Sequence, residues 1–461
     1  MKVVMIGAGY VGLTTGTCFA SLGRDVCCVD VDVKRIEDLQ RGKIPIFEPG
    51  LSELVADMTA AGKLTFSSDL AREVAGADFV FIAVGTPSGP DGDIDLSYVT
   101  AAARAIATVL PDHAIVVVKS TVVAGTARAV GEIIRTLKPH GKVRIASNPE
   151  FLREGSALSD FMQADRIVVG ADDPDTAAAM RQLYLPLIET GTPFISTTTT
   201  DAELIKYAAN AFLALKIGFI NEVANICENT GGDVGAVARG IGSDRRIGES
   251  FLQPGPGFGG SCFPKDTRAF AATGRRFKSP QSLIEQVITA NEERKTMLAN
   301  RILEALAGQQ SARVAVLGMA FKAHTDDVRE SAALSVVQVL ARAGIDVSGH
   351  DPKGRLHAET ILGSGVTWHD DPYEAVRGVD AVAIMTEWDE YRELDLAKVG
   401  HLVAGKLLFD FRNLFTAESV TRHGFSYHSL GRPVAKPRDV DRRKVNPGAN
   451  PVWADIAACA R

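Results

Sequence analysis

One cysteine, Cys262, sits in the stretch GPGFGGSCFPKD (Gly255 to Asp266), with Lys265 and Asp266 three and four residues behind it. A thiolate is a good nucleophile toward a carbonyl carbon. Gly257, Gly259 and Gly260 take bulk away beside the sulfur, so a ligand is expected to reach both backbone and thiol. If Cys262 begins or just precedes a helix, the helix N-terminus and nearby cations are expected to favour its thiolate. The alternative is a buried structural cysteine in a glycine-rich turn. A second constellation, Lys206, Asn210, Asn221 and Asn225, recurs at helical spacing in TDAELIKYAANAFLALKIGFINEVANICENTGG. At roughly 100° per residue the four share one sector, a polar ribbon that implies a wet cleft or an interface.

A third group opens the chain. MKVVMIGAGYVG is a short apolar run followed by Gly7, Gly9 and Gly12, then a helical pattern and DVCCVD ending at Asp30. Gly7 permits a tight turn, Gly9 lets the backbone approach a pyrophosphate, and Gly12 lets helix and strand pack closely. The turn (Gly7, Gly9, Tyr10, Val11, Gly12) and the helix N-terminus suit a dinucleotide. Asp30 is placed for ribose hydroxyls and repels a 2′-phosphate, so NAD is expected rather than NADP. Arg35 lies either over the ribose or in solvent. A thiol adds something to hydride chemistry: once an alcohol is oxidised, sulfur addition turns the aldehyde into a thiohemiacetal able to give up a second hydride. The resulting thioester is then hydrolysed to an acid.

Several elements must position these groups. ADFVFIAVGTP, HAIVVVKST and VRIASNPEF are apolar runs ending in small or polar residues, as in parallel strands buried on both faces. Their carboxyl ends put Thr86, Thr121 and Glu150 at the cofactor crevice. A helix of about 45 Å follows from Thr200, with Thr200 and Glu203 as a capping box and Gly231 at its end. RVAVLGMAFK starts a second α/β unit without the three-glycine fingerprint, continued by a helix from about Arg329, IDVSGHDP, AVAIMTEW and KLLFDFRN. The expected architecture is two Rossmann-like, doubly wound α/β domains joined by a long central helix: an NAD-binding domain over 1–199, a helical dimerisation region with the cysteine loop over 200–310, a second α/β domain that has lost dinucleotide binding over 311–432 and a proline- and charge-rich tail over 433–461.

At 461 residues, with 46% hydrophobic and 23% charged residues, the chain has the composition of a multidomain globular protein. A net charge of −6 without a dense basic cluster argues against nucleic acid and anionic membranes. The six cysteines show no metal-type spacing, so no metal is expected; Cys18, Cys27, Cys28 and Cys227 read as small core residues, and the expected compartment is the reducing cytoplasm.

GAGYVG, VGTP, KST, SNPEFLREG, ELIKYAANAFLALK, PGPGFGGSCFPKD, GMAFK and VRES, in this order from Met1 to about Gly431, resemble the UDP-glucose 6-dehydrogenases of the UDP-glucose/GDP-mannose dehydrogenase family. The resemblance implies Cys262 as nucleophile and Lys206 with Asn210 as the oxyanion site. It implies Asp266 and Thr121 around a water, and Glu150 as general base through water. Phe151, Leu152 and Glu154, and the stretch from Phe251 to Gly259, would surround the sugar nucleotide, with Lys322 on its diphosphate and Arg412 as a further substrate contact, although Phe411 stands where the family often has a small residue. Glu154, Lys265 and Arg329 would meet the cofactor, and Arg246 would enter a partner subunit's site, making the active unit a homodimer. The implied reaction takes UDP-glucose to UDP-glucuronate with two NAD reduced; the alternative is the same chemistry on another nucleotide sugar.

Overall fold

The structure is a computed structural model that describes residues 1–437 apart from Pro90, Gly308 and Gln310; most of the expected tail lies outside the described residues. The first sheet is built from β1 (Lys2–Ile6), β2 (Asp25–Val29), β3 (Leu64–Ser67), β4 (Phe79–Ile82), β5 (Ile115–Val118), β6 (Arg144–Ser147), β7 (Ile167–Ala171) and β8 (Phe194–Thr197). Its order is β3-β2-β1-β4-β5-β6-β7-β8, and β6/β7 is the one antiparallel neighbour pair in it. Val3 sits beside Val26 on one flank and Phe79 on the other, so the most apolar strands are central. Separate buried clusters cover the two faces, one around Phe19, Phe81 and Tyr184 and one around Val80, Val116 and Ile134. That is why these strands read as unbroken apolar runs.

The second sheet holds β9 (Arg313–Leu317), β10 (Asp346–His350), β11 (Val366–Trp368), β12 (Ala381–Ile384), β13 (Leu407–Asp410) and β14 (Ser426–Ser429) in the order β11-β10-β9-β12-β13-β14, all parallel. The two sheets share a device at their first turn. In the first, Gly7 N–H donates to Val29 O (2.8 Å) and Ala8 N–H to Asp30 Oδ2 (2.8 Å). In the second, Gly318 N–H donates to His350 O (2.8 Å), while Met319 and Ala320 N–H both donate to Asp351 Oδ2 (2.6 and 2.9 Å). The second turn does not enter a helix directly. Its helix begins at Ala332, capped by Ser331, rather than near Arg329. The intervening excursion carries Phe321, Lys322 and Arg329 toward the first domain.

The central helix runs over Thr199–Thr230, 32 residues and so about 48 Å. Its cap differs from the expected box. Thr198 accepts from Asp201 N–H (3.1 Å), whereas the buried Glu203 reaches across to Gly125 and Ala127 N–H (2.6 and 2.7 Å), capping the neighbouring helix Thr126–Leu137. Gly231 ends the central helix in the left-handed region (φ 82°), where glycine is the favoured residue. Helices Phe263–Arg276 and Ser282–Ala305 pack on it. Past the expected boundary at 432 the chain remains attached: Ala435 pairs with Tyr427 on β14. Cys18, Cys27, Cys28 and Cys227 are unpaired and buried. Among the described residues no helix is long and apolar enough to cross a membrane, and no cluster of His, Cys, Asp and Glu could hold a metal.

Candidate active site

A cavity of about 870 Å³ is lined from three directions by Glu150 and Phe151, by Lys206 and Asn210, and by Cys262, with Lys322 and Arg412 of the second unit at its far end. Glu150 follows the carboxyl end of β6, Lys206 and Asn210 are successive turns of one face of the central helix, and Cys262 is the N-cap of helix Phe263–Arg276. Lys206 Nζ donates to Glu150 Oε1 (2.8 Å), and both side chains are about 95% buried, at 4% and 5% exposure. Asn210 Nδ2 donates to Asp266 Oδ2 (2.6 Å), and Lys265 Nζ to Asp266 Oδ1 (2.7 Å). Asp266, one turn into the cysteine helix, is therefore fully engaged behind the cavity wall and orients Asn210. Lys206 keeps two further donors and Asn210 one, enough for two groups to converge on a single substrate oxygen.

The glycines of the cysteine loop are packed on the side where a side chain would stand. A Cβ on Gly257 would meet Asn291 Oδ1 at 2.8 Å, one on Gly259 the Glu330 carbonyl at 2.6 Å, and one on Gly260 the Phe321 ring at 2.7 Å. Protein atoms fill that side, while Gly257 and Gly259 still line the cavity with Cys262; Gly257 and Gly260 also sit at φ 124° and 79°. The loop is gripped from behind. Asn221 Oδ1 accepts from Gly255 N–H (2.9 Å), Arg294 Nε donates to Gly255 O (2.7 Å), and Asn291 pairs with Phe258 through both N–H (2.8 Å) and O (3.0 Å). Arg294 also donates to Asn225 Oδ1 (3.3 Å). The polar ribbon of the central helix thus serves two ends: Lys206 and Asn210 face the cavity, while Asn221 and Asn225 hold the loop and the helix that braces it.

Electrostatics correct a second expectation. The Cys262 thiol is pushed up to about 11, first by burial and then by the nearby Glu150 carboxylate; Lys206 and Ser261 oppose this without outweighing it. The helix N-terminus does not make a ready thiolate in this state. For Glu150, burial is the largest influence and favours the acid, yet Lys206, the Leu152 N–H (2.5 Å) and Lys119 together hold the carboxyl below its usual range. Glu154 goes the other way. Burial and then Asp327 lift it to about 7, although Ser261 (2.6 Å), Arg329 (3.6 Å) and Lys322 surround it.

The glycine turn fits a dinucleotide. A Cβ on Gly9 meets nothing within 4 Å, whereas one on Gly12 would strike Gly7 O at 1.9 Å, so the first faces open space and the second close packing. No side chain caps helix Tyr10–Ser21, leaving its first N–H groups for a phosphate. Asp30 is buried, and Arg35 lies on it (3.0 Å) rather than in bulk solvent. Tyr10 donates to Glu48 Oε2 (2.5 Å), and Glu48 also accepts from Gly155 and Ala157 N–H, both at 2.7 Å, which ties the nucleotide turn to the segment after Glu150.

Phe151, Leu152, Glu154, Phe251 and Gly259 line the cavity, whereas Thr86, Thr121, Lys265 and Arg329 lie outside its lining. The Phe151 ring carries the Arg166 guanidinium at 4.0 Å and Lys206 Nζ at 5.4 Å. Arg412 donates to Phe321 O (2.6 Å) and Met385 O (2.9 Å), so it fixes the second unit's excursion at the cavity rim. Arg246 lies away from the cavity, 89% exposed and held by Asp244 (2.6 Å). Three residues at the site were not singled out from sequence: Ser261, whose hydroxyl is 3.5 Å from the Cys262 sulfur, Asn291, and Lys119. Lys119 had a signal, a charge closing the apolar run AIVVVK; Asn291 had none beyond an ordinary polar helix position.

Residues 1–188, 200–293 and 315–417 match the NAD binding, central and UDP binding domains of the UDP-glucose/GDP-mannose dehydrogenase family. A UDP-glucose 6-dehydrogenase from Rhizobium meliloti is 50% identical over 437 residues, covering 94% of this chain and 100% of its own. A UDP-glucose dehydrogenase structure from Pyrobaculum islandicum superimposes with a TM-score of 0.86 at 39% identity, over 93% of this chain and 96% of that one. A UDP-D-ManNAc dehydrogenase from Pyrococcus horikoshii gives 0.83 at 28% identity, over 94% and 99%. With all three regions matched in order on this site, the chain belongs to the UDP-glucose/GDP-mannose dehydrogenase family.

Proposed function

We propose that the protein oxidises UDP-glucose to UDP-glucuronate, reducing two NAD per sugar, with Cys262 carrying the sugar between the two oxidations. The observation that supports this best is the convergence of Cys262, Lys206, Asn210 and Glu150 on one cavity. NAD, held by the turn Gly7–Gly12 and by Asp30, supplies the hydride acceptor when bound. Lys206 and Asn210 hold the sugar C6 oxygen as it changes from alcohol to carbonyl, and in each oxidation the hydroxyl proton leaves through water to Glu150 and on to solvent. The Cys262 sulfur then bonds to the aldehyde carbon while its proton passes to that oxygen, giving a thiohemiacetal that the same two donors orient. Donors fixed on a developing oxyanion contribute on the order of 3 kcal/mol each. After the second oxidation, Glu150 takes a proton from water as the water adds to the thioester. The C–S bond breaks, and the thiol is regenerated. Asp266 keeps Asn210 in place, Thr121 helps hold the water, Lys322 neutralises the diphosphate, and Arg412, Lys265, Glu154 and Arg329 complete the substrate and cofactor surfaces.

The active unit in this reading is a homodimer. Phe212, Phe219 and Ile226 stand exposed at 60%, 51% and 62%, seven residues apart along one side of the central helix, a stripe that a second copy would bury. Arg246 then reaches the partner's cavity. Unpaired thiols in the core fit a reducing cytoplasm. NADH formation by the purified protein, compared across UDP-glucose, GDP-mannose and UDP-N-acetyl sugars, tests the substrate: UDP-glucose is expected to give the highest kcat/KM, and negligible turnover with it would refute the reading.

A further inference from the structure

We infer that Lys119 is a positioning residue: a second buried cation that keeps Glu150 a carboxylate while Lys206 is drawn to the reacting oxygen. The inference rests on the roles of Lys206 and Glu150 proposed above. Lys119 follows β5, is 4% exposed and lines the cavity. Its ammonium donates to Asn148 Oδ1 (3.2 Å), an oxygen that also takes the Tyr184 hydroxyl (2.5 Å), while Asn148 Nδ2 donates to Val168 O (2.8 Å). That chain fixes where the ammonium lies without neutralising it. The charged and titratable groups facing it are Glu150 from the end of β6, Lys206 from the central helix and the Cys18 thiol from the helix behind the glycine turn. Burial pushes the lysine down to about 8, which still leaves it cationic at neutral pH.

The need for a second charge follows from the reaction. In the ligand-free cavity Glu150 is held by Lys206, but Lys206 also acts on the Cys262 sulfur and must stabilise the oxyanion formed there. One ammonium cannot fully serve a buried carboxylate and a developing oxyanion together, because each negative charge in low dielectric needs its own compensation. Glu150 also faces the Cys262 thiol and Tyr10, neither of which supplies positive charge. Lys119 does. With it in place, Lys206 can move toward substrate while Glu150 stays able to accept a proton from water.

The test is the pH dependence of kcat in Lys119→Met and Lys119→Arg, with circular dichroism to verify folding. Lys119→Gln, which retains a donor for Asn148 but no charge, serves if the Met variant fails to fold. The acidic limb is expected to move up by about one pH unit in the Met and Gln variants, since losing one nearby opposite charge raises a carboxyl by about that much. At pH values below the wild-type acidic limb kcat would then fall about tenfold, with KM for UDP-glucose little changed, and Arg would restore the wild-type limb. An acidic limb that stays put in the neutral variants, with kcat lowered equally at every pH, would overturn the inference and leave Lys119 a structural residue. Absence of turnover in the wild type would instead sink the proposed function, so the two failures are distinguishable.

Discussion

The buried Lys206–Glu150 pair is the most exposed point of the account, because each partner is stable there only with the other. Replacing Lys206 with Met leaves a carboxylate in low dielectric with Lys119 as its remaining cation, so the folded protein should lose about 3 kcal/mol by denaturant titration. Turnover should fall at least about 100-fold, as expected when an oxyanion donor is removed; a variant within about threefold of wild type would remove Lys206 from the chemistry. Cys262 makes a prediction of its own sign. A thiol lifted to about 11 is protonated at neutral pH, so in the ligand-free protein its alkylation by iodoacetamide should be slow at pH 7. The rate should climb about tenfold per pH unit with no plateau below pH 10, since the thiolate is the reactive form. Peptide mass spectrometry of residue 262 reads this out, and a plateau near pH 7 would mean that the helix N-terminus and Lys206 outweigh burial after all.

The elements carry the precision these residues need. Asn291 holds Phe258 through two hydrogen bonds and Arg294 holds Gly255, so the bracing helix Ser282–Ala305 sets the height of the cysteine loop over the cavity. Asn291→Leu strands a buried N–H and a buried carbonyl. It should destabilise by about 2 kcal/mol and lower kcat, while Thr200→Ala, which removes nothing from the observed cap, should leave stability unchanged. Thr198→Ala should remove about 1 kcal/mol; equal effects at 198 and 200 in thermal unfolding would contradict the cap assignment. The cap of the central helix marks a limit of local sequence. Ser/Thr followed three residues on by Glu describes both Thr200–Glu203 and a carboxylate on its way elsewhere, and only the helix Thr126–Leu137, far off in the chain, decides between them. The central strands, the glycine turn and the long helix were legible because apolar run, turn and helical period agree locally. β3 and β8 are short edge strands with little apolar signal, and β7 runs antiparallel to β6, breaking the rhythm by which the others were found. The access that the glycines give beside Cys262 is readable locally, but their packing role is not, because Asn291, Phe321 and Glu330, which fill the Cβ positions, belong to distant segments.

Across the whole molecule, the active cavity depends on how the second unit and a second copy meet the first domain. Glu154 joins the first domain to Ser261 of the cysteine loop and to Thr325 and Arg329 of the second unit. Its carboxyl lies near 4.5 when unfolded and about 7 when folded, so the folded state binds the proton more tightly. Stability from this group is complete below pH 4.5 and is lost as pH rises to about 7. Glu154→Gln should therefore raise Tm relative to wild type at pH 7.5 but not at pH 4.5; the same difference at both values would show that the carboxyl does not titrate in this window. The partner's contribution has a separate test. Mixing inactive Arg246→Ala and inactive Cys262→Ser subunits after dissociation should restore activity at about a quarter of the sites if Arg246 crosses the dimer, whereas no recovery would place Arg246 outside the catalytic assembly.

Rapid quenching during turnover of UDP-glucose, followed by mass spectrometry of the peptide that spans residue 262, addresses the covalent step most directly. A glucuronyl thioester on that sulfur is expected in the steady state, with two NADH appearing for each sugar nucleotide consumed. An unmodified peptide at every quench time, together with an undiminished two-to-one yield from Cys262→Ser, would contradict it.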